Sequence, residues 1–396
     1  MKNASHLRTG VDTAPPPPDK VHPDPSLVLF VHPGIEFGSV VEQIKLLRKN
    51  SHSDERIAIA VDRWLFLMRL TPVIRGAATY IPGLYKVVSK WRKASAHGGE
   101  TDNAAYCYEV WLKHLTLLWA NGMRTIPDTV AELGPGDSLG TGLAALLCGA
   151  NHYYALDIVH YANAPRNLMI FDQLVNLFQR RAGRPSKGWP DYDQHLDPNM
   201  FPSHILTESV LESALAPDRI AAIRSALVHP SLDTDRITIR YMVPWNKASV
   251  IRPATVDLVF SHTVLELIVN LEDTYQACAQ WLKPGGWMSH QIDLSSCYLA
   301  KVWNDQWTYP EWIWKIVMGK GSFYLNRQPC SHHIQLLRAS GFEIVAHLNW
   351  TRTDGIKRSQ LALRWKGLSE DDLTCWETFI QARRPNRATK PTPPPN

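Results

Sequence analysis

The stretch Thr129-Val-Ala-Glu-Leu-Gly-Pro-Gly-Asp-Ser-Leu-Gly-Thr-Gly142 constrains the fold more than any other part of this chain. Val130, Ala131 and Leu133 read as a buried strand that runs into a glycine-rich turn, with a helix-like segment, Leu143 to Cys148, beyond it. Glycine accepts positive φ and lets a ligand touch bare backbone. Glu132 stands just before the turn, and Asp157 ends the next apolar run, Tyr153-Tyr-Ala-Leu-Asp. A carboxylate about 20 residues past such a turn is placed to meet ribose hydroxyls. The pattern describes a nucleoside pocket on a sheet of alternating strands and helices.

The details of the turn decide between nucleosides. A dinucleotide fingerprint needs a third glycine three residues after the second, so that a helix starts tightly against pyrophosphate. That position holds Leu139, and the next glycine is Gly140. Glu132 and Asp137 would also repel linked phosphates, whereas both suit a ligand with an ammonium and a sulfonium. Here the sequence resembles the class I S-adenosylmethionine-dependent methyltransferases, whose first motif reads acid-x-Gly-x-Gly, in this chain Glu132-Leu-Gly134-Pro-Gly136. Val256-Asp-Leu-Val-Phe-Ser-His-Thr-Val-Leu-Glu-Leu267 is similar to that family's fourth strand, and Trp281-Leu-Lys-Pro-Gly-Gly-Trp287 to the turn before its fifth. The resemblance covers residues 128–295, with weaker similarity to about 365.

The resemblance implies an α/β fold: a Rossmann-like, doubly wound, seven-stranded sheet with an N-terminal helical extension and an inserted helical lid. Strands are expected at 129–133, 153–157, 236–243, 256–260, 287–293, 342–350 and 359–366. Helices are expected at 139–149, 165–182, 208–228, 272–283 and 331–340. In domain terms, 1–26 and 383–396 are proline-rich tails expected to be disordered. Residues 27–125 form a helical region, and 126–370 the methyltransferase domain, with 183–235 inserted as the lid or a substrate-side element.

The 42 Lys and Arg against 37 Asp and Glu leave a net charge of +5, and no basic run or RNA-binding aromatic motif argues for nucleic acid. Six cysteines lack metal or disulfide spacing, so no metal is expected and reduced, cytoplasmic thiols are the simpler reading. Residues 64–93 are apolar, aromatic and basic, which fits either peripheral contact with a membrane interface or a helical cap on the core.

Candidate site residues follow. Glu132, Gly134, Gly136, Asp137 and Asp157 would hold the donor, S-adenosyl-L-methionine. Trp245 and Asn246, after the third strand, would hold adenine, and Ser261 stands at the end of the fourth strand, where ligands bind in open α/β sheets. Relatives often carry Leu-Glu-His after that strand; here it is Leu265-Glu266-Leu267, which leaves His262, one turn earlier, as candidate base. His290 is a second candidate base. Asp293, Asn326 and Arg327 are candidates for the acceptor, the last two by resemblance to a Leu-Asn-Arg segment in relatives that methylate small polar molecules.

The function implied is methyl transfer to a small-molecule acceptor, at an oxygen of a sugar-like, phenolic or lipid-linked compound. Two alternatives remain: a non-catalytic binding or scaffold protein with a retained nucleoside pocket, and an NAD-dependent oxidoreductase.

Overall fold

The structure is a computed structural model. It describes residues 70–81, 100–183, 196–197, 199–228, 236–245, 247–297, 299–300, 302–320 and 323–386, all within the unit Leu65–Asn396. The tails at 1–26 and beyond 386, most of 64–93, residues 184–195 and Asn246 lie outside the described residues.

The elements in chain order are α1 (70–78), α2 (Ala104–Ala120), β1 (Thr129–Leu133), α3 (Gly140–Leu147), β2 (His152–Leu156), α4 (Ala164–Gln179), α5 (Glu208–Ala214), α6 (Pro217–Val228) and β3 (Thr238–Met242). There follow β4 (Val256–His262), α7 (Leu271–Trp281), β5 (Leu282–Asp293), α8 (Glu311–Met318), α9 (Cys330–Ala339), β6 (Glu343–Thr351), α10 (Glu370–Thr374) and β7 (Cys375–Arg383). The strands form one seven-stranded sheet in the order β3-β2-β1-β4-β5-β7-β6. β1 to β5 are parallel, and β7 runs antiparallel between β5 and β6.

All five residues of β1 are buried, as expected for a central parallel strand covered on both faces. One apolar core joins α2, α3, α4 and α6 to one face through Tyr108, Trp111, Leu143, Phe171 and Ile223. A second covers the other face with Tyr275 and Trp281 of α7 and Leu337 of α9. The winding direction reverses between β1 and β4. Such a switch point opens a crevice beyond the carboxyl ends of the strands.

The helical part of the 183–235 insertion, expected as a lid or a substrate-side element, packs into the core. Leu211, Ile223 and Leu227 of α5 and α6 join the core, and Arg219 of α6 donates to Ala150 O at 2.5 Å and Asn151 Oδ1 at 2.6 Å. Those acceptors lie at the amino end of β2, the edge opposite the glycine turn. The strand expected at 359–366 is instead two 3-10 turns, Arg358–Gln360 and Leu363–Trp365. A three-residue pitch turns Leu361 and Trp365 into a small cluster with Trp307 and leaves Leu363 89% exposed. The seventh strand is Cys375–Arg383, so the sheet continues past 370 and takes in Arg383. α2, within the helical region expected over 27–125, is buried along most of its length as part of the same core.

Candidate functional site

At the carboxyl edge of the sheet, Gly134 and Gly136 both take left-handed φ, +64° and +74°. A Cβ at Gly134 would stand 2.6 Å from Val264 Cγ2, so the turn lies directly against the segment after β4. Thr101, just before α2, crosses the turn: Ser138 Oγ donates to its carbonyl, and Ser138 N to its Oγ1 at 3.3 Å. The backbone is thus shaped by neighbours on two sides before any ligand arrives.

Glu132 is buried behind the turn, where it accepts from Tyr153 Oη and from the Gly142 backbone at the start of α3. Burial pushes its carboxyl up to about 7 against those hydrogen bonds. Its contacts hold the strand, the turn and the helix together. The close fit is local: a Cβ on Gly142 would sit 2.0 Å from the Tyr153 ring.

Asp157 follows β2 and accepts from Ile158 N at 2.7 Å, from Val159 N at 3.4 Å and from the Gly136 backbone. Burial raises its carboxyl above the usual range. Its backbone bridges two loops: its N–H donates to Met242 O at 3.1 Å, and its carbonyl accepts from Trp245 N at 3.0 Å. The ends of β1, β2 and β3 therefore bring Gly134, Gly136, Asp157 and Trp245 together. Trp245 rests edge-on against Trp281, ring centroids 5.5 Å apart. Ile158, beside Asp157, is 57% exposed, an apolar shoulder the sequence reading missed. Asp137, further round the turn, pairs with Arg166 of α4 at 3.5 Å.

Two of the other candidates are turned inward. Ser261 Oγ and His290 Nδ1 lie 2.8 Å apart inside the sheet, on the paired strands β4 and β5. Both are buried, and burial lowers the imidazole to about 3. Ser261, expected at the donor, and His290, expected as a base, thus meet each other inside the sheet. His262, at the end of β4, is different. Its Nδ1 lies 3.4 Å from His114 Nε2 of α2, and the Tyr106 ring stands edge-on at 6.0 Å. Burial, then His114 and Lys113, pull its pKa well below the ordinary histidine range, so the ring is neutral.

Around His262 are groups that sequence reasoning passed over. Tyr106, Lys113 and His114 come from α2; Lys113 Nζ donates to Gln291 Oε1 at 2.6 Å and His114 Nδ1 meets Ser289 at 2.8 Å. Glu266, in the turn after β4, is buried with no hydrogen-bond partner at Oε2. Burial, reinforced by Asp293 and Glu377, holds its carboxyl well above the usual range. Asp293 faces Glu377 across β5 and β7, and its own carboxyl is raised by burial. The signal for α2 was its apolar periodicity; nothing in its spacing announced that Lys113 and His114 face the sheet.

Asn326 and Arg327 are tied to neighbouring backbone. Asn326 Nδ2 donates to Leu265 O at 2.7 Å and Ile268 O at 2.8 Å. Arg327 donates to Gln306 O at 3.0 Å, to Tyr309 O at 2.8 Å and to Glu311. Its guanidinium lies over Trp314 and Trp365, and its side chain is 1% exposed. Both residues fasten their segment to its neighbours. Among the described residues no group of three or more His, Cys, Asp or Glu is placed to hold a metal, and no helix is long and apolar enough to cross a membrane.

No protein-family model matches the chain, and no curated protein matches it. Solved structures do. An S-adenosylmethionine-dependent methyltransferase from Mesorhizobium loti is 15% identical over 68% of this chain and 96% of its own, with a TM-score of 0.33. Phosphoethanolamine N-methyltransferase 2 from Haemonchus contortus, in complex with S-adenosyl-L-methionine, is 14% identical over 72% of this chain and 57% of its own, with a TM-score of 0.35. A geranyl diphosphate methyltransferase is 11% identical over 71% of this chain and 85% of its own, with a TM-score of 0.35. The strand order, with its one antiparallel strand, is itself the observation that fixes the architecture: a Rossmann-like, doubly wound, seven-stranded sheet with helices on both faces.

Proposed function

We propose that this chain is an S-adenosyl-L-methionine-dependent methyltransferase that acts on a small molecule. The observation that carries the reading is the conjunction of the left-handed Gly134–Gly136 turn with Asp157 at the adjoining strand end. In this reading the glycine backbone and Asp137 receive the amino-acid end of the donor, and Asp157 receives the ribose. Trp245, Asn246 and the exposed Ile158 flank the adenine, while Glu132 holds the turn from behind. Methyl transfer is an in-line displacement, so the protein's main task is alignment of acceptor, methyl and sulfur.

His262 is the general base we propose for an acceptor hydroxyl. The imidazole at the end of β4 is neutral, held so by burial and then by His114 and Lys113, which leaves it able to accept a proton in the bound complex. An oxygen acceptor fits this chemistry. A second reading, an amine acceptor, is favoured by one observation: Glu266 and Asp293, both carboxyls raised by burial, lie together beyond β4 and at the end of β5, where a bound cation would draw off their protons. A nucleic-acid acceptor is disfavoured by Ser261-His-Thr-Val264 where amino-methylating enzymes of that kind carry Asn or Asp-Pro-Pro-Tyr. The six free cysteines suit a reducing, cytoplasmic setting.

Calorimetry with S-adenosyl-L-methionine, its demethylated product and NADH tests the donor. Heat with the first two and none with NADH is expected; the reverse would overturn the proposal and favour an oxidoreductase. Methyl turnover on sugars, phenols, lipid extracts and amines then separates an enzyme from a binding protein with a retained pocket, and oxygen from nitrogen.

A further inference from the structure

Four strands from β1, about 19 Å across the sheet at the usual strand spacing, a second site stands at the edge strand β6. A cavity of about 440 Å³ is lined there by Cys330, Arg338, His347, Asn349, Asp371 and Asp372. Its volume is that of a pocket for a small molecule. Cys330 opens α9, and its Sγ lies 3.0 Å from His347 Nε2 of β6. Thr378 Oγ1 and Asn349 Oδ1 lie 3.5 Å and 3.6 Å from the same sulfur and hold each other at 2.7 Å. Cys330 is itself buried, but His347 and Asn349 are exposed, so the cavity connects the sulfur to solvent.

A cysteine in contact with an imidazole at the first turn of a helix is the arrangement that makes sulfur nucleophilic. The hydrogen bond with Cys330 holds His347 above the ordinary histidine range against the effect of burial. The charged groups on the cavity wall divide into two kinds. Asp372 is engaged at the helix starts, where it accepts from Ser331 N at 2.9 Å, Ser331 Oγ at 2.7 Å and Ser369 Oγ at 2.9 Å. Arg338 and Asp371 are exposed, one cation and one anion at the same opening. Such a pair suits a ligand that carries both a carboxylate and an ammonium. The other thiols lack this setting. Cys107, Cys148 and Cys278 are pushed up by burial. Cys297 is pushed up by burial and then by Asp293 and Glu266. Cys375 is buried, and its Sγ donates to Glu377 O at 3.4 Å.

We propose that the Cys330–His347 pair is a modification site, at which a zwitterionic low-molecular-weight disulfide of the glutathione type enters the cavity and leaves one of its halves on Cys330. Arg338 receives a carboxylate of the entering disulfide, and Asp371 its ammonium. The Cys330 thiolate attacks the nearer sulfur in line. A new S–S bond forms, the old S–S bond breaks, and the departing thiolate takes the His347 proton and leaves as a thiol. Cys330 is oxidised to a mixed disulfide and one half of the small disulfide is reduced, so no further oxidant enters the step.

The test incubates the reduced full chain with excess glutathione disulfide and reads the intact mass, the glutathione released and a non-reducing peptide map. The expected result is a single glutathionyl group on Cys330, an equal amount of glutathione released, and full reversal by dithiothreitol. In His347→Gln, with melting unchanged, the limiting rate should fall by about ten-fold or more. In Arg338→Met the limiting rate should hold, while the glutathione disulfide needed for half-saturation rises by about three-fold or more. The uncharged bis(2-hydroxyethyl) disulfide should not distinguish Arg338→Met from the parent. An adduct on another thiol in place of Cys330, or an adduct that forms only once the chain is unfolded in urea, overturns the proposal. Equal rates in His347→Gln, or equal saturation in Arg338→Met, overturn it too.

Discussion

Two carboxylates flank the glycine turn, and their surroundings assign them different work. Asp157 touches the turn and stands at the crevice, so Asp157→Ala should weaken S-adenosyl-L-methionine by about 1–3 kcal/mol, the usual cost of leaving hydroxyls unmatched. Titration calorimetry checks this, and equal affinity would take Asp157 out of the donor site. Glu132 is sealed behind the turn, and its folded carboxyl is raised from 4.5 to about 7. The folded state therefore holds its proton where the unfolded chain has lost it. That contribution to stability is complete below pH 4.5 and disappears as the pH rises through about 7. Glu132→Gln keeps an acceptor for Tyr153 and cannot ionise. Its stability relative to the parent should rise by about 2–3 kcal/mol between pH 5 and pH 8, followed by urea unfolding. A difference that does not vary with pH would mean that Glu132 is ionised throughout.

Helices and strands show which sequence signals survive packing. The segment before α9 depends on Arg327, whose fork ties the chain near 306–311 to the 326–328 loop while two tryptophans cover its faces. Its removal leaves the buried carbonyls of Gln306 and Tyr309 without their donor, while Glu311, 39% exposed, keeps Arg364 and Tyr324. Arg327→Met should therefore cost about 1–3 kcal/mol in chemical denaturation yet leave donor affinity as it was. A loss of donor affinity with full stability would return Arg327 to the site. Strands with continuous apolar runs, such as β1 and β4, and the glycine turn between β1 and α3 were legible because local pattern alone produces them. The 359–366 segment was not. Leu-Ala-Leu-Arg-Trp alternates like a strand, but Trp307 offers it a cluster to fold against, and a tight turn buries Leu361 and Trp365 on one side. The inward pairing of Ser261 with His290 was equally hidden, since it depends on the register between β4 and β5 and no local spacing reports it.

For the whole molecule, the sheet's order places β1 and β4, which bound the crevice, in the middle with β3 at one edge, and leaves closure to the last strand. β7 lies between β5 and β6 and hydrogen-bonds to both, so it is an interior strand although it comes last in the sequence. Cys375, Phe379, Ile380 and Ala382 bury its side chains in the core on either face. At about 1.5–3 kcal/mol for each large apolar side chain, Phe379 and Ile380 alone represent a sizeable part of a domain's net stability. Without β7, β6 has no partner, and β5 presents an open edge. A chain ended after Glu370 should therefore fail to give a cooperative melt and should not bind the donor, whereas one ended after Asn386 should match the full protein in both. Circular dichroism on heating and calorimetry read the two outcomes. A cooperative melt with donor binding in the shorter chain would mean that the crevice between β1 and β4 is held by the parallel strands alone.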